Sequence, residues 1–137
     1  MLIRDYQIRD FPQVEDLWKE TGIFREDRGD TPEIIEECNA RGGKLLVMVD
    51  PVNQLIFATS WLSYDGRRLL MHHFAVSPPY QNKGYGRTLA LESLAFAKEK
   101  GIPVKIEVHK DNSSALVLYQ GLGFEPLEGY GVYIKYP

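Results

Sequence analysis

A glycine-rich turn between a predicted strand and a predicted helix restricts the fold of this chain most. It reads Gln81-Asn82-Lys83-Gly84-Tyr85-Gly86 and follows an apolar run. From Gly86 to Ala97, small and apolar residues recur every three or four positions, which predicts a helix from about Gly84 to Lys100 with one buried face. The stretch Val104–His109 then alternates as a strand. Two strands joined by a helix are expected to be parallel neighbours in one sheet.

The remaining patterns extend this unit into a larger sheet. Alternation predicts a strand at Leu2–Ile8, and further strands are predicted at Lys44–Val49, Gln54–Tyr64, Arg67–Val76 and Tyr130–Tyr136. Helices are predicted after the caps Asp10, Thr31-Pro32 and Asn112, and Asp65-Gly66 predicts a two-residue hairpin. The order β-α-α-β-β-β-α-β-α-β-β predicts an α/β (α+β) fold: one domain over residues 1–137, with a mixed, mostly antiparallel sheet and helices on both faces.

Composition narrows the classes of function. The 137 residues carry a net charge of −3, so we expect no broad basic face for nucleic acid or an anionic membrane. Cys38 is the single cysteine, which excludes an internal disulfide and favours a reducing compartment. We find neither a secretory leader pattern nor an apolar run of the roughly 20 residues that a membrane span needs. A cytoplasmic protein is the expectation.

The glycine-rich turn has the chemistry of an anion site. The first amides of a helix have no carbonyl partner within the helix, and the helix dipole adds positive charge there. Glycine lets a ligand approach this backbone, and Lys83 and Arg87 add full charges. A Walker loop would need Lys-Ser or Lys-Thr after the last glycine, whereas Arg87-Thr88 follows here. A dinucleotide fingerprint would need a small residue at Leu89.

Two motifs in the expected order resemble those of the GNAT acyltransferase superfamily. Val76-Ser77-Pro78 leads into Gln81-x-x-Gly84-x-Gly86, and Asn112 precedes a helix with Ala115 and Tyr119 that ends at Gly123-Phe124. The resemblance covers essentially the whole chain, although residues up to about 43 match only in outline. It implies a GNAT-like fold and acetyl-CoA as co-substrate, with no metal.

The resemblance also implies which residues bind coenzyme A. Backbone amides of the loop would hold the pyrophosphate, and the strand before it would pair with the pantetheine arm. Asn112 would cap its helix and is a candidate to reach the cofactor. The cofactor-binding residues implied are Phe74, Ala75, Val76, Gln81, Asn82, Lys83, Gly84, Tyr85, Gly86, Arg87, Thr88, Asn112 and Tyr119.

The resemblance implies an N-acetyltransferase in which an amine attacks the thioester directly. Tyr119 would protonate the leaving thiolate, and the amide of Phe74 would stabilise the oxyanion. His72 is the first candidate for the base that deprotonates the amine, and Glu107 the second; ordered water is a third route. His73, the next residue along an alternating strand, is expected to point to the opposite face.

The acceptor is not named by the sequence. It would be a small-molecule or protein amine, and a homodimer through the C-terminal strand is an open alternative. An acidic cluster would either attract a cationic amine or be a solvated face; its members are Glu26, Asp27, Asp30, Glu33, Glu36 and Glu37. The competing functions are a non-catalytic acyl-CoA-binding module on the same fold and a nucleotide-binding protein unrelated to coenzyme A.

Overall fold

The computed structural model describes residues 2–137, and its central feature is a five-stranded sheet. The strands are adjacent in the order of the sequence; they are β1 (Leu2–Asp5), β2 (Lys44–Val49), β3 (Ile56–Tyr64), β4 (Leu69–Val76) and β5 (Val104–Ile106). The helices are α1 (Phe11–Glu20), α2 (Pro32–Ala40), α3 (Tyr85–Lys100) and α4 (Ser113–Gly121). Three strand pairs are antiparallel, and only β4 and β5 are parallel. The predicted mixed, mostly antiparallel sheet is therefore confirmed.

The chain divides into two compact units, and each is described by itself. The first ends at Glu107 and contains the sheet with α1, α2 and α3. The second is Val108–Pro137 and contains α4. The single domain over residues 1–137 stays a prediction.

Two consecutive residues of β3 show that helices cover both faces of the sheet. Trp18 on α1 donates its indole N–H to Thr59 Oγ1 at 2.9 Å. On the other side, Ser60 Oγ lies 2.8 Å from Ser93 Oγ on α3. Neighbouring side chains of a strand point to opposite faces, so α1 and α3 lie on opposite sides of β3. Because helices cover both faces, Thr59 and Ser60 are fully buried, and this strand is apolar along most of its length.

The helix boundaries follow local capping, with one correction. Thr31 Oγ1 accepts the amide of Ile34 at 3.3 Å, and Pro32 occupies the first turn of α2, as predicted. Asp10 precedes α1, but its carboxylate does not cap that helix. It accepts Arg4 Nη1 at 2.7 Å and the amide of Gln7 at 2.8 Å. The prediction of Asp10 as the cap of α1 was wrong, because this buried carboxylate is used by a guanidinium and an upstream amide.

The corner between α2 and β2 leaves no room for a side chain at Gly43. A Cβ placed there would lie 2.6 Å from the carbonyl oxygen of Leu62 and 2.9 Å from Cys38 Sγ. The end of α2 therefore packs closely on β3. Cys38 is held by this approach, with its sulfur 3.5 Å from Ser63 Oγ.

A β-bulge in β4 changes the side-chain alternation of that strand. Thr59 pairs with Ala75 and Trp61 pairs with His72, so two steps along β3 match three steps along β4. The extra residue lies at His73, whose φ is +45°. Thr59 Oγ1 donates to the carbonyl of His73 at 2.8 Å and fixes this backbone. His72 and His73 therefore contact each other through their rings instead of pointing to opposite faces, and the expectation from simple alternation was wrong.

Four predicted strand ends and the predicted C-terminal strand differ from the structure. The strands β1 and β5 end earlier than predicted, at Asp5 and Ile106, and β3 and β4 begin later, at Ile56 and Leu69. β3 ends at Tyr64 and β4 begins at Leu69, so four residues form the hairpin loop instead of Asp65-Gly66 alone. Asp65 Oδ1 accepts the amides of Arg67 and Arg68, each at 2.8 Å, which consumes the residues expected to start the strand. Within residues 108–137 no strand forms, and Tyr130–Tyr136 is exposed coil. Alternation gives a segment β-propensity, but a strand also needs a neighbour to pair with.

Candidate active site

The loop before α3 presents open backbone at the N-terminus of a 16-residue helix. The first backbone bond of the helix runs from the amide of Thr88 to the carbonyl of Gly84, at 3.2 Å, so the amides of residues 85–87 precede it. Gly84 has φ +87°, and a Cβ there would meet nothing within 4 Å. Asn82 has φ +60°, a conformation that asparagine tolerates better than most residues. This geometry fits the pyrophosphate-binding loop that the sequence predicted.

Aromatic packing and one hydrogen bond hold this loop against the sheet. Tyr80 stacks on Phe57 with ring centroids 4.1 Å apart, and Tyr85 packs on the same ring at 5.1 Å. Gln81 Nε2 donates to the carbonyl of Val76 at 2.8 Å, which ties the loop to the end of β4. The side chains of Gln81 and Tyr85 therefore position the loop. The amide of Gln81 donates to the carbonyl of Pro78 at 3.1 Å, so the amides left to meet a ligand are those of Tyr85 and its neighbours at the start of α3.

The two basic residues of the loop are exposed to solvent. Lys83 precedes the glycines and Arg87 lies in the first turn of α3. Thr88, also exposed, donates its hydroxyl to the carbonyl of Gly84 at 3.1 Å. The helix dipole and the two cations give this end of α3 a positive potential, although the whole chain is acidic.

The strand before the loop leaves its neighbour β5 part-way along. β5 pairs only with Leu69, Leu70 and Met71. Phe74, Ala75 and Val76 lie beyond that pairing, next to the loop. A sheet that opens at this position is the geometry in which an extended amide-containing ligand can add to a strand.

A line of polar side chains crosses the face of the sheet that α1 covers. Ser63 Oγ lies 2.6 Å from His72 Nε2, and His72 Nδ1 lies 2.7 Å from His73 Nδ1. His73 Nε2 lies 2.9 Å from Asp30 Oδ1 and 3.0 Å from Asp30 Oδ2. Asp30 is buried, and its Oδ2 accepts the amide of Arg25 at 2.7 Å. Three segments that are distant in sequence thus meet at one cluster, which we call the His72–His73 cluster: Asp30, Ser63, His72 and His73.

Burial decides the chemistry of His72. Desolvation, and next the charge on His73, lower the pKa of His72 to about 3. The imidazole is therefore neutral at neutral pH and takes up a proton reluctantly. Trp61 packs against both histidines, with ring centroids 4.7 Å from His72 and 5.1 Å from His73. His72 was the first candidate for the base, and its pKa of about 3 makes it a weak base on its own.

Sequence reasoning missed two members of this cluster. Ser63 was an ordinary strand residue, and Asp30 was grouped with the acidic cluster. In the structure Asp30 is buried against His73, whereas the other five acidic residues of that cluster are exposed. No local pattern predicts the bulge at His73 that brings them together. The acidic cluster is thus reduced to Glu26, Asp27, Glu33, Glu36 and Glu37.

A cavity opens beside Ser63. Its volume is about 330 Å³, and it lies at the end of the sheet where the β3–β4 hairpin adjoins β5. Its charged lining includes Glu107, the second candidate base, which is exposed. The lining residues are Ser63, Tyr64, Asp65, Arg68, Leu70, Lys105 and Glu107.

The second unit carries Tyr119 and Asn112. Asn112 Oδ1 accepts the amide of Ala115 at 3.2 Å and caps α4, as predicted. Tyr119 is buried, and its ring packs edge-on against Phe124 at 5.5 Å. Burial raises the pKa of Tyr119 to about 12, so its hydroxyl keeps its proton at neutral pH.

Comparison with known proteins identifies the family. A sequence model of the Acetyltransferase (GNAT) family matches residues 11–124. An acetyltransferase from Yersinia pestis (strain Pestoides F) is 30% identical over 128 residues, which are 91% of this chain and 88% of that protein. The chain belongs to the GNAT acetyltransferase family, whose members use acetyl-CoA.

Solved structures of the same fold agree with this assignment. The PaiA N-acetyltransferase from Thermoplasma acidophilum, solved in complex with coenzyme A, has a TM-score of 0.78 at 21% identity, covering 95% of this chain and 92% of that one. The ribosomal-protein-S18-alanine N-acetyltransferase from Escherichia coli has a TM-score of 0.76 at 20% identity, covering 90% of this chain and 77% of that one.

Residues 2–137 contain neither a helix that could span a membrane nor a group of side chains that could hold a metal ion. No helix in this range combines the length and the apolar character that crossing a membrane requires. No group of three or more His, Cys, Asp or Glu side chains in the same range is arranged to hold a metal ion.

Proposed function

We propose that this protein transfers an acetyl group from acetyl-CoA to a primary amine by direct attack in a ternary complex. The observation that carries the proposal is the loop of residues 81–88, which is held by Phe57 and Val76 and presents the amides of residues 85–87 ahead of the first hydrogen bond of α3. The coenzyme A complex of a structural neighbour and the GNAT family match support the same co-substrate.

In this proposal the backbone of the loop binds the pyrophosphate. The amides of residues 82–87 would donate to it, because the amide of Thr88, also predicted as a donor, binds the carbonyl of Gly84; Lys83 and Arg87 add attraction from the flanks. Residues 74–76 of β4, beyond the pairing with β5, would pair with the pantetheine arm. Acetyl-CoA supplies an activated acyl group as a thioester, and Phe74 would donate its amide to the oxygen on which negative charge develops.

Tyr119 is the proposed acid. Its pKa of about 12 keeps the hydroxyl protonated until a thiolate leaves, and Asn112 holds the start of the helix that carries it. The amine must lose a proton before it attacks, and the His72–His73 cluster is the proposed route for that proton. The acceptor is proposed as an amine of a small molecule or a protein, since one structural neighbour is named for acetylating a ribosomal protein.

A thiol-release assay tests the proposal. Purified protein is mixed with acetyl-CoA and, separately, spermidine, L-lysine and a peptide with a free N-terminus. Amine-dependent release of coenzyme A with acetylated product by mass spectrometry is the expected result. Calorimetric binding of coenzyme A without turnover would favour the non-catalytic acyl-CoA-binding module, and no binding at all would remove both.

A further inference from the structure

Hydrogen bonds connect the cavity to a buried carboxylate without interruption. Ser63 lines the cavity and contacts His72, which contacts His73, which contacts Asp30, with successive distances of 2.6, 2.7 and 2.9 Å. All three are within the range of strong hydrogen bonds. The proposed function requires only some proton acceptor near the amine. It does not require this row of hydrogen bonds, nor does it determine which atom of each pair donates.

The chemistry of the end group fixes the direction of every bond. The ionised Asp30 only accepts, so His73 Nε2 must carry a proton. A neutral His73 then has a bare Nδ1, which accepts from His72 Nδ1–H. His72 Nε2 is consequently bare and accepts from the Ser63 hydroxyl. With both rings neutral and Asp30 ionised, this is the arrangement that satisfies all three contacts.

We propose that these four residues form a proton relay that deprotonates the amine acceptor. Ser63 receives the proton from the amine, and His73 is the site that holds it. The proposal rests on the proposed function. The ammonium group gives one proton to Ser63 Oγ while the Ser63 hydroxyl proton moves to His72 Nε2. The Nδ1 proton of His72 moves to His73 Nδ1. The ammonium becomes a neutral amine, His72 and Ser63 end neutral, and His73 becomes an imidazolium beside the Asp30 carboxylate.

The surroundings favour the charge on His73 over the charge on His72. The side chain of His73 is 20% exposed and lies 2.9 Å from Asp30, while burial lowers the pKa of His72 to about 3. The ring of Trp18 lies 4.5 Å from the His73 ring and that of Trp61 lies 5.1 Å from it, a setting that suits a cation. Passing the proton onward therefore removes the weakness of His72 as a base.

Groups from α1, α2, β3 and the cavity lining also lie near the relay. From α2, Cys38 Sγ lies 3.5 Å from Ser63 Oγ, and from α1 the group that faces His73 is the uncharged indole of Trp18. From β3, Thr59 binds the carbonyl of His73, not its ring. The charged groups on the cavity side are Asp65, Arg68, Lys105 and Glu107.

Nuclear magnetic resonance of the imidazole nitrogens tests the direction without any turnover. We expect His72 protonated on Nδ1 and His73 on Nε2 at pH 7.5, with the exposed His109 as internal reference. Protonation of His72 on Nε2 in the unaltered protein would overturn the relay.

Kinetics test whether the line carries the proton. One variant is Ser63→Ala, which removes the hydroxyl that receives the proton. The other is His73→Asn, chosen because asparagine tolerates the left-handed backbone at this position. His109→Asn is the control. With the fastest amine of the three named above, we expect kcat at pH 7 to fall about a hundredfold in both variants and stay unchanged in the control. The deficit should shrink towards pH 10, because the amine then loses its proton without help.

The outcomes separate the relay from the proposed function. A deficit below twofold, or one of constant size from pH 7 to pH 10, would overturn the relay while leaving the acetyltransferase proposal in place. Absence of turnover by the unaltered protein with all three amines would instead count against the proposed function. Circular dichroism and an unchanged KM for acetyl-CoA check that Ser63→Ala remains folded. If Ser63→Ala does not fold, His73→Asn tests the relay independently at another of its members.

Discussion

His72 and His73 are consecutive in the chain, yet their Nδ1 atoms lie 2.7 Å apart. In an undistorted strand the two rings would lie on opposite faces. The bulge at His73 brings them together, and Asp30 and Trp61 complete the setting. The cluster should therefore affect the stability of the protein as well as the proposed chemistry, and stability should fall as the pH is lowered.

His72 should make the protein less stable in acid. Its folded pKa of about 3 lies below the ordinary value of 6.5, so between these two values the unfolded chain binds a proton that the folded chain does not. Stability contributed by neutral His72 is present above pH 6.5 and is lost as the pH falls towards 3, by about 5 kcal/mol at most. Urea unfolding from pH 7 to pH 4 measures the slope.

The comparison for this prediction is His72→Gln against His109→Gln. Removing His72 should flatten the slope of stability with pH, while removing the exposed His109 should leave it unchanged. Equal slopes in the unaltered protein and His72→Gln would show that His72 titrates normally in the folded state.

Tyr119→Phe should lower kcat about a hundredfold, with little effect on binding of acetyl-CoA. Phenylalanine keeps the buried ring against Phe124 but removes the proposed proton donor. Steady-state thiol release and calorimetry measure the two quantities. Tyr133→Phe is the matched control, because Tyr133 is 93% exposed. If both variants turn over equally well, the leaving thiolate is protonated by another group.

Gly84→Ala should weaken binding of coenzyme A by about tenfold. Gly84 has φ +87°, and alanine there adds about 1 kcal/mol of backbone strain and a methyl group at the N-terminus of α3. Gly66→Ala is the control, since Gly66 has φ +94° and equally open space but lies in the β3–β4 hairpin. Both should lose similar stability in thermal unfolding. Similar losses of affinity in calorimetry would mean that the loop does not contact the ligand.

Ser60 and Ser93 should show non-additive effects on stability. Ser93 Oγ donates to the carbonyl of Leu89 at 2.9 Å and is thereby left to accept from Ser60. Ser93→Ala leaves the buried Ser60 hydroxyl without its partner and should cost about 1–3 kcal/mol. Adding Ser60→Ala should restore most of that loss. Denaturant unfolding of the two single variants and the double variant measures the coupling, and simple additivity would contradict it.

The sequence was sufficient to predict the sheet, its helices and the loop before α3. These features depend on local signals: alternation, the Thr31-Pro32 cap, the stripe on α3 and the glycines at its start. The His72–His73 cluster could not be predicted in the same way. Its geometry depends on one extra residue in β4 and on where the long loop before α2 returns, and neither is encoded in a short window.

The C-terminal strand shows the opposite error. The segment Tyr130–Tyr136 has the period-two pattern of a strand, but the described residues 108–137 form none. Pattern reports what a segment favours, whereas pairing requires a neighbour with available amides and carbonyls. The same limit applies to the hairpin, where Asp65 binds two following amides and delays the start of β4.

The close approach at Gly43 limits how this protein can diverge. A library of all amino acids at this position should return glycine almost alone, whereas Gly121, which has open space and no positive φ, should accept more variety. A side chain at Gly43 would displace Cys38 and so disturb the Ser63 hydroxyl beside the cavity. Because position 43 therefore tolerates little change, differences in acceptor preference among relatives should lie in the residues that line the cavity and not at this corner.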